Sequence, residues 1–401
     1  MKIVHVMNWY IPGMGYQENF LPAEQKKLGH DVYIITSDRV PHYSGYEKNV
    51  GRLIGKRIIG TGTFNERGVT IYRLPTLFEV KNGGQVIVKG LFKILKDIEP
   101  DVVHAHGAFT PIAIQAIHYS NTLNYKVFID DHSNKNNFNP DNIIKKAWIN
   151  LVKLYYKYYS ERVCLWLPVT YSAKNILISM LGISEERIRL LHLGADSMKF
   201  RRDIRLRNHC RKNLNFDNKD ILIISSGKFE YSKEIHTLVK AFKKLLSYHS
   251  NIKLLLLGNG PEDYMTKIYT MVETNNITNK VIFNDFVSNK ELPVYYNAAD
   301  IGVWPGGHTI TAVEAVATGL PIIVPSDDIA YQVLFDNNAA LGFERGNVDS
   351  LTACMLKLLN DVQLRKKISD NGLSVVLREL SWKTIAKKSI EYYSHKSEGE
   401  A

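Results

Sequence analysis

The stretch WPGGHTITAVEAVATGLPIIVP, residues 304–325, determines how the second half of this chain folds. It follows a short apolar run that ends at Trp304, and Pro-Gly-Gly comes next. A segment typical of a helix then runs to Thr318, Gly319 ends it, and the apolar residues 321–325 follow. Strand, glycine turn, helix and strand in this order predict a βαβ unit of a parallel sheet.

The glycine turn of this unit precedes a helix N-terminus, where unpaired backbone N–H groups and the helix dipole favour an anion. We expect the turn to face a sugar and a diphosphate. The turn consists of Gly306, Gly307, His308 and Thr309. Glu314 lies among small apolar residues, so it is expected to be buried and to bind a partner such as ribose hydroxyls. A solvated glutamate on a helix surface is the alternative.

Length, charge and cysteine content limit the class of protein. The 401 residues suggest two domains. A net charge of +11 suits nucleic acid, a nucleotide or an anionic membrane, although free use of lysine by an AT-rich genome explains it equally well. Three scattered cysteines exclude a disulfide framework and a zinc cluster, which indicates a reduced, cytosolic compartment. The first residues are typical of a strand rather than a signal peptide, and no run of about 18 apolar residues is present.

Strand and helix patterns alternate through the first half of the chain and start again in the second half. Such repetition predicts parallel strands joined by crossover helices, with ligands outside the carboxyl ends of the strands. We expect a helix over 86–97, a strand over 188–193 and a patternless hinge over 201–219. Gly13 and Gly15 follow the first strand and would allow a phosphate to approach the backbone, although any tight turn would also use them.

Several blocks, in this order, resemble the retaining nucleotide-sugar glycosyltransferases of family 4, and the resemblance covers nearly the whole chain. Its first block is the opening strand, Gly-rich loop, helix and Gly-His-Asp-Val turn of residues 1–38. The later blocks are PDVVHAHG (100–107), LHLGADSMKF (191–200), ISSGKFEYSKEIHTLVKAF (224–242), LLLLGNGPE (254–262), VIFNDFVSNKELPVYYNAADIGVWP (281–305) and LSWKTIA (380–386). One block alone is weak evidence, whereas their joint order and spacing is specific.

The resemblance implies the GT-B fold, an α/β architecture of two Rossmann-like, doubly wound domains that face each other across a cleft. Residues 1–200 would form the acceptor-binding domain and residues 201–378 the nucleotide-sugar domain. Residues 379–401 would form a C-terminal helix that crosses back to the N-terminal domain.

The resemblance also implies roles for individual residues. Lys228 and Lys233 would be catalytic groups that stabilise the diphosphate, and Gly227 would bind the donor; two solvated lysines are the alternative. His132 would contact the transferred sugar. His106 is expected to face the acceptor, and His104 to be a core residue. Metal binding by these histidines is a weaker alternative, since the family is metal-independent.

The chain departs from the family pattern at three positions. Gly306 stands where the family has the first of two glutamates, Lys228 replaces an arginine, and Glu234 replaces a glycine. Lysine keeps the charge of arginine but loses its bidentate geometry.

The function implied is retaining transfer of a hexose from a nucleoside diphosphate sugar to a hydroxyl of a cell-surface glycan or lipid-linked oligosaccharide, with no cofactor and no metal. A sugar-nucleotide epimerase and a non-catalytic nucleotide-sugar or glycan-binding protein are the alternatives. Nucleic-acid binding lacks a reading module. Lysines mixed with Trp and Tyr over 143–166 favour either contact with an anionic membrane or a core helix with a lysine face. The expected location is therefore cytoplasmic, with a peripheral position at the inner face of the plasma membrane.

Overall fold

The computed structural model describes residues 1–40, 55–80, 85–133, 143–214, 216, 219–307 and 309–394. The chain divides into two compact units. The first unit contains residues 1–193 and the chain from Ile385 onward, and the second contains residues 194–384. The unit boundaries therefore differ by seven and six residues from the expected positions (193 against 200, and 384 against 378).

Strands and helices alternate over most of both units, but the four strands between residues 62 and 88 follow one another with no described helix between them. They are β1 (Lys2–Val6), β2 (Asp31–Ser37), β3 (Gly62–Glu66), β4 (Val69–Leu74), β5 (Thr76–Val80), β6 (Gln85–Val88), β7 (Val102–His106), β8 (Lys126–Asp131), β9 (Val163–Pro168), β10 (Ile221–Ser226), β11 (Ile252–Leu257), β12 (Val281–Asn284), β13 (Ile301–Val303), β14 (Ile322–Pro325) and β15 (Ala340–Phe343).

The α-helices are α1 (Gln17–Lys27), α2 (Leu91–Ile98), α3 (Pro111–Leu123), α4 (Ile143–Tyr159), α5 (Tyr171–Ile176), α6 (Ile204–Asn213), α7 (Ile235–Leu245), α8 (Glu262–Thr274), α9 (Leu292–Ala298), α10 (Ile310–Ala317), α11 (Gln332–Asp336), α12 (Val348–Asn360), α13 (Val362–Val375) and α14 (Trp382–Tyr393). Among the described residues, no helix is long and apolar enough to cross a bilayer.

The sheet of the first unit has the strand order β3-β4-β2-β1-β7-β8-β9. All neighbouring pairs are parallel except β3 and β4. The order from β4 to β9 is that of a Rossmann-like sheet, whose direction of winding reverses between β1 and β7. Helix α3 packs on one face of this sheet through buried residues of the shared core. It begins at Pro111 because Thr110 caps its first turn and proline fits its first position.

The second unit repeats the Rossmann-like order with β12-β11-β10-β13-β14-β15, and all pairs are parallel. Successive residues of its strands enter different cores: Leu255 and Leu257 pack in one cluster, and Leu254 and Leu256 in the other. Because side chains alternate along a strand, this division shows that helices cover both faces of the sheet. The reversal point lies between β10 and β13.

Three local expectations were wrong. The segment 86–97 contains the end of β6 before helix α2, because Gly90 starts the helix only at Leu91. Residues 188–193 form no extended strand and only an isolated bridge between Trp166 and Ile188. The charged region 201–219 contains helix α6, whose first turn is capped by the Asp203 carboxylate.

Candidate functional site

A small hollow that is open to solvent lies in the second unit at the carboxyl ends of β10 and β13. This is the reversal point of the sheet, where doubly wound proteins bind their ligands. The hollow brings together five residues expected to bind the sugar donor. These are Gly227, Lys228, Lys233, Gly306 and Thr309.

Close backbone packing explains why the hollow requires glycine at position 306. A Cβ atom there would lie 2.2 Å from the carbonyl oxygen of Ser232 and 2.6 Å from the Cα of Lys233. The turn after β13 therefore lies directly against the segment that carries Lys233. The family's first glutamate has no room at this position unless the backbone moves.

At position 234 the chain has a side chain where the backbone conformation favours glycine. The backbone of Glu234 has a φ of 51°, in the left-handed region. Glycine adopts this conformation without strain, which gives a physical reason for the family's glycine. Here Glu234 adopts it as the residue immediately before helix α7.

The two lysines of the hollow differ in their surroundings. The side chain of Lys228 is 60% exposed and forms an ion pair with Glu230. Lys233 is half-buried, and burial lowers its pKa, while the Glu230 and Asp328 carboxylates oppose that change. Both lysines line a recess at the end of a parallel sheet, and two positive charges there can stabilise a growing negative charge.

The turn after β13 is partly engaged within the protein. The hydroxyl of Thr309 caps α10 by accepting a hydrogen bond from the Ala312 N–H at 3.4 Å, and it also pairs with the Thr311 hydroxyl at 2.8 Å. The Thr309 N–H donates to the Tyr331 hydroxyl at 3.3 Å. Ligand contacts from Thr309 would therefore add to, or replace, these internal bonds. His308 lies outside the described residues.

Glu314 is buried in helix α10, as the apolar residues around it predicted, and it is not part of the wall of the hollow. Asn289 donates to its Oε1 at 2.9 Å. Its Oε2 is buried without a hydrogen-bond partner among the described residues. Burial raises its pKa to about 7, although Asn289 and Lys199 favour the charged form. A ligand hydroxyl would supply the partner that a buried carboxylate oxygen needs.

A cluster of histidines surrounds the Asp130 carboxylate at the carboxyl ends of β7 and β8 in the first unit. His106 Nδ1 lies 2.6 Å from Asp130 Oδ2, and His104 Nε2 lies 3.3 Å from the same oxygen. Gln17 donates to that oxygen at 3.0 Å. Because burial disfavours the charged imidazole, the pKa values of His104 and of the nearby His5 are lowered.

His132 is the member of this cluster that is most exposed to solvent. Its side chain is 43% exposed, and its Nε2 lies 3.7 Å from Asp130 Oδ2. Burial lowers its pKa, but the Asp130 carboxylate and, more weakly, Glu18 and Asp131 raise it to a net value of about 8. His132 is thus able to offer a charged donor to an incoming ligand at neutral pH.

His106 is less accessible than its position in the sequence suggested. Its side chain is 10% exposed, its Nδ1 contacts Asp130, and its Nε2 lies 2.9 Å from His5 Nδ1. Both ring nitrogens are therefore engaged within the protein. His104 is fully buried, as expected of a core residue.

Metal binding by this cluster was the weaker interpretation of the sequence. One ligand atom each from His104, His106 and Asp130 lies within 4.8 Å of the others, a grouping that could hold an ion. Hydrogen bonds already account for most of these atoms, since Asp130 Oδ2 accepts from both His106 and Gln17.

The N–H groups of the two glycines after β1 form bonds within the protein. Gly13 donates to Glu66 Oε1 at 3.1 Å, and Gly15 donates to Asn19 Oδ1 at 3.1 Å. Their φ values of 72° and 83° show that the turn itself requires glycine. A role in phosphate binding stays a prediction for both.

Sequence reasoning missed the residues that support the histidine cluster from α14. The Tyr393 hydroxyl lies 2.5 Å from His104 Nδ1 and accepts from Gln25 Nε2 at 3.2 Å. Gln25 also donates to Ser389 and lies 2.7 Å from His5 Nε2. Almost 300 residues separate His104 from Tyr393, so no local pattern could have revealed this contact. The role of Asp130 could have been predicted from the sequence, because this residue lies in the DDHS segment that ends a strand.

Two family models match most of the chain. The model described as "Glycosyltransferase Family 4" matches residues 21–199. The model described as "Glycosyl transferases group 1" matches residues 207–375. The two matched ranges correspond closely to the two Rossmann-like units.

Curated relatives are glycosyltransferases as well. The uncharacterized glycosyltransferase MJ1607 of Methanocaldococcus jannaschii is 27% identical over 57% of this chain and 60% of its own length. The alpha-monoglucosyldiacylglycerol synthase of Streptococcus pneumoniae is 22% identical over 98% of this chain and 85% of its own. The capsular polysaccharide biosynthesis glycosyltransferase CapM of Staphylococcus aureus is 26% identical over 57% of this chain and 62% of its own.

Solved structures have the same fold along the whole chain. Anabaena HepE in complex with UDP superposes with a TM-score of 0.75 at 13% identity, covering 98% of this chain and 100% of HepE. A glycosyltransferase from Rickettsia africae superposes with a TM-score of 0.73 at 17% identity, covering 98% and 97%. With the GT-B fold of these structures and the matches to both family models, the chain belongs to the family 4, group 1 glycosyltransferases.

Proposed function

We propose that this glycosyltransferase moves a hexose from a nucleoside diphosphate sugar to a hydroxyl of a cell-surface glycan or lipid-linked oligosaccharide, with retention of anomeric configuration. The observation that carries the proposal is the hollow at the β10–β13 reversal point, which is lined by Lys228, Lys233 and the glycine turn. Retention, and a reaction without metal or cofactor, rest on the family resemblance.

The chemistry follows from charge. As the glycosidic bond breaks, the leaving diphosphate gains negative charge. Lys228 and Lys233 stabilise that charge more strongly in the transition state than in the ground state. The partial burial of Lys233 strengthens its interaction with an anion, because water screens it less. The diphosphate itself accepts the proton of the acceptor hydroxyl on the same face of the sugar, and the new bond forms there.

Other residues bind and orient the substrates. Glu314 Oε2 lies buried outside the wall of the hollow, so the side chains that cover it must move before it accepts a hydrogen bond from a ribose hydroxyl. The glycine turn approaches the diphosphate through backbone N–H groups. His132 donates a hydrogen bond to the transferred sugar. His106 contributes to acceptor binding mainly by holding Asp130 and His5 in place, since both of its ring nitrogens are engaged.

The ligands and names of related proteins support the choice of substrates. HepE has been solved with UDP, with UDP and glucose, and with UDP-glucose. Two relatives are named for a diacylglycerol glycolipid and for capsular polysaccharide. We therefore propose a uridine nucleotide-sugar as the first donor to test and a lipid-linked or capsular glycan as the acceptor. A cytoplasmic protein bound peripherally to the inner face of the membrane would have access to both the donor and the acceptor.

Thermal shift with UDP-, GDP- and ADP-sugars, followed by detection of sugar transfer to a lipid-linked acceptor, tests this function. A sugar donor that binds the native state raises the melting temperature. We expect Lys233→Ala to lower turnover by roughly a hundredfold while its melting temperature without ligand stays near that of the parent protein. Lys240→Ala, an exposed lysine of α7, is the matched control. Unchanged turnover of Lys233→Ala would remove the phosphate assignment.

One observation favours a second function. Gly306 has no carboxylate, and its surroundings leave no space for one. A protein that binds a nucleotide-sugar without transferring it would tolerate this loss. Calorimetric binding of a sugar donor, with no transfer to any acceptor in a panel of lipid-linked and capsular glycans, would identify the chain as such a binding protein.

A further inference from the structure

Helix α4 has two apolar faces, and within the part of the chain that the structure describes only one of them is covered. Val152 and Tyr156 are buried in the core of the first unit, and the indole of Trp148 donates to the Phe109 carbonyl at 3.1 Å. This face uses Trp148 and Tyr156, two of the aromatic residues over 143–166 that the sequence had suggested for membrane contact, whereas Tyr158 lies on the other face. Trp166 is also fully buried, in β9. These aromatic rings therefore stabilise the fold and do not form the membrane surface.

The second apolar face of α4 is exposed. Ile143 is 84% exposed, Leu151 61%, Leu154 52% and Tyr158 67%. Together with the exposed Ala147, they are separated by intervals of four, four, three and four residues. At 3.6 residues per turn this spacing forms one continuous stripe along the helix. Large apolar side chains in a continuous exposed stripe indicate an interaction surface.

Lysines border this exposed stripe. Lys146, Lys153 and Lys157 are exposed and lie along one edge of it, between the stripe and the core face. Lys145 is exposed as well, near the start of the helix. The sequence of α4 contains no Asp or Glu. Helix α4 thus combines an exposed apolar stripe with lysines and carries no carboxylate of its own.

We propose that the exposed stripe of α4 is the membrane-docking face of this protein and that it binds an anionic lipid surface. Ile143, Leu151 and Leu154 enter the headgroup–acyl boundary, and the bordering lysines contact lipid phosphates. This inference specifies which surface would bind the membrane in the proposed function. It rests on that function, because a lipid-linked acceptor is the reason for the protein to bind a membrane.

Charge selects this occupant over a second copy of the chain. A symmetric dimer through the stripe would bring the three lysines of one helix close to those of its partner, with no carboxylate on either helix to balance them. An anionic leaflet matches both the apolar stripe and the lysines, because its interior accommodates the aliphatic side chains and its negative surface potential attracts each lysine.

The test is co-sedimentation of the full chain with phosphatidylglycerol–phosphatidylcholine vesicles, without sugar donor or acceptor. We expect binding at low salt, weaker binding at high salt and little binding to pure phosphatidylcholine. L151Q/L154Q should weaken binding roughly tenfold or more. K146Q/K153Q/K157Q should weaken it on the order of a hundredfold. All five positions are exposed, so the folded state should tolerate these changes.

Matched controls come from the second unit. Val362 is 62% exposed and Leu377 63%, so V362Q/L377Q removes two apolar side chains of similar size and exposure elsewhere. K243Q/K366Q/K367Q removes the same charge from exposed helix positions. Both controls should bind vesicles like the parent protein.

Three outcomes would overturn the proposal: no binding of the parent protein to anionic vesicles, equal loss in variant and control, or a dimer in solution that L151Q/L154Q dissociates. The thermal shift caused by a sugar donor, measured on the same variants, separates this test from that of the proposed function. Donor binding should stay unchanged in L151Q/L154Q. Vesicle binding without any donor response would preserve the membrane surface and contradict the transferase.

Discussion

At the scale of single residues, Asp130 controls the charge of the exposed histidine beside it. The pKa of His132 is about 8, raised by Asp130, Glu18 and Asp131 against the effect of burial. An imidazolium with a raised pKa stabilises the fold below about pH 6.5, and this contribution is lost as the pH rises through about 8. Transfer that requires charged His132 should therefore decline over the same upper range.

Glu18→Gln tests this assignment without disturbing the buried carboxylate of Asp130. Glu18 is half-buried in the first turn of α1, and its charge raises the pKa of His132. We expect the NMR titration midpoint of His132 to fall in Glu18→Gln and to fall further in Asp130→Asn. His118, on α3, provides the internal reference in the same spectra. A midpoint that is the same in all three proteins would show that neither carboxylate controls His132.

Gly306 is a second residue whose role is set by its immediate neighbours. Gly306→Ala places a Cβ atom 2.2 Å from the Ser232 carbonyl oxygen, so the backbone must move. We expect a loss of about 1–3 kcal/mol in the free energy of unfolding, measured by urea denaturation. Gly306→Glu should be at least as destabilising and should not increase turnover. A stable Gly306→Glu variant with faster transfer would show that the site had lost a carboxylate it could still accommodate.

At the scale of elements, α14 stabilises the histidine cluster through one hydroxyl group. Tyr393→Phe removes the partner of His104 Nδ1 and one acceptor of Gln25, and both of those side chains are buried. Leaving buried polar groups unpaired should lower the free energy of unfolding by about 1–3 kcal/mol. Tyr392→Phe is the control, because the Tyr392 hydroxyl makes a longer bond of 3.3 Å to the Leu190 carbonyl. Equal urea midpoints for the two variants would contradict this role of Tyr393.

Elements whose start and end are marked by residues adjacent in the chain could be predicted from the sequence. The β13–α10–β14 unit was predicted because its glycine turn and its terminal Gly319 are adjacent in the chain, whereas the Thr309 cap was found only in the structure. Helix α6 was missed because its high charge hides its pattern, although Asp203 is a regular N-cap residue. The contact between Asn289 and Glu314 and the role of Tyr393 depend on side chains brought together only by folding. The hollow was predicted in outline and the bonds around Glu314 were not.

At the scale of the whole molecule, the two units differ in the number of chain segments that form them. The second unit is one continuous segment, residues 194–384, with its own sheet and cores. The first unit needs two segments, since the chain returns to it from Ile385 onward. Removing this return segment deletes the Ser389 and Tyr393 contacts to Gln25 and His104, and it also uncovers Phe128.

A chain ending at Thr384 should therefore lose stability in one unit only. We expect faster amide hydrogen exchange in β1, β7 and β8, because the buried groups next to these strands lose their partners. Exchange in β10, β11 and β13 should remain slow, and a nucleotide diphosphate should still protect the loops after β10 and β13. Loss of nucleotide protection in the truncated chain, with the second sheet intact, would mean that the hollow at the end of β10 does not hold the diphosphate by itself. Slow exchange throughout the first unit would mean that the contacts of Tyr393 and Ser389 contribute little to its stability.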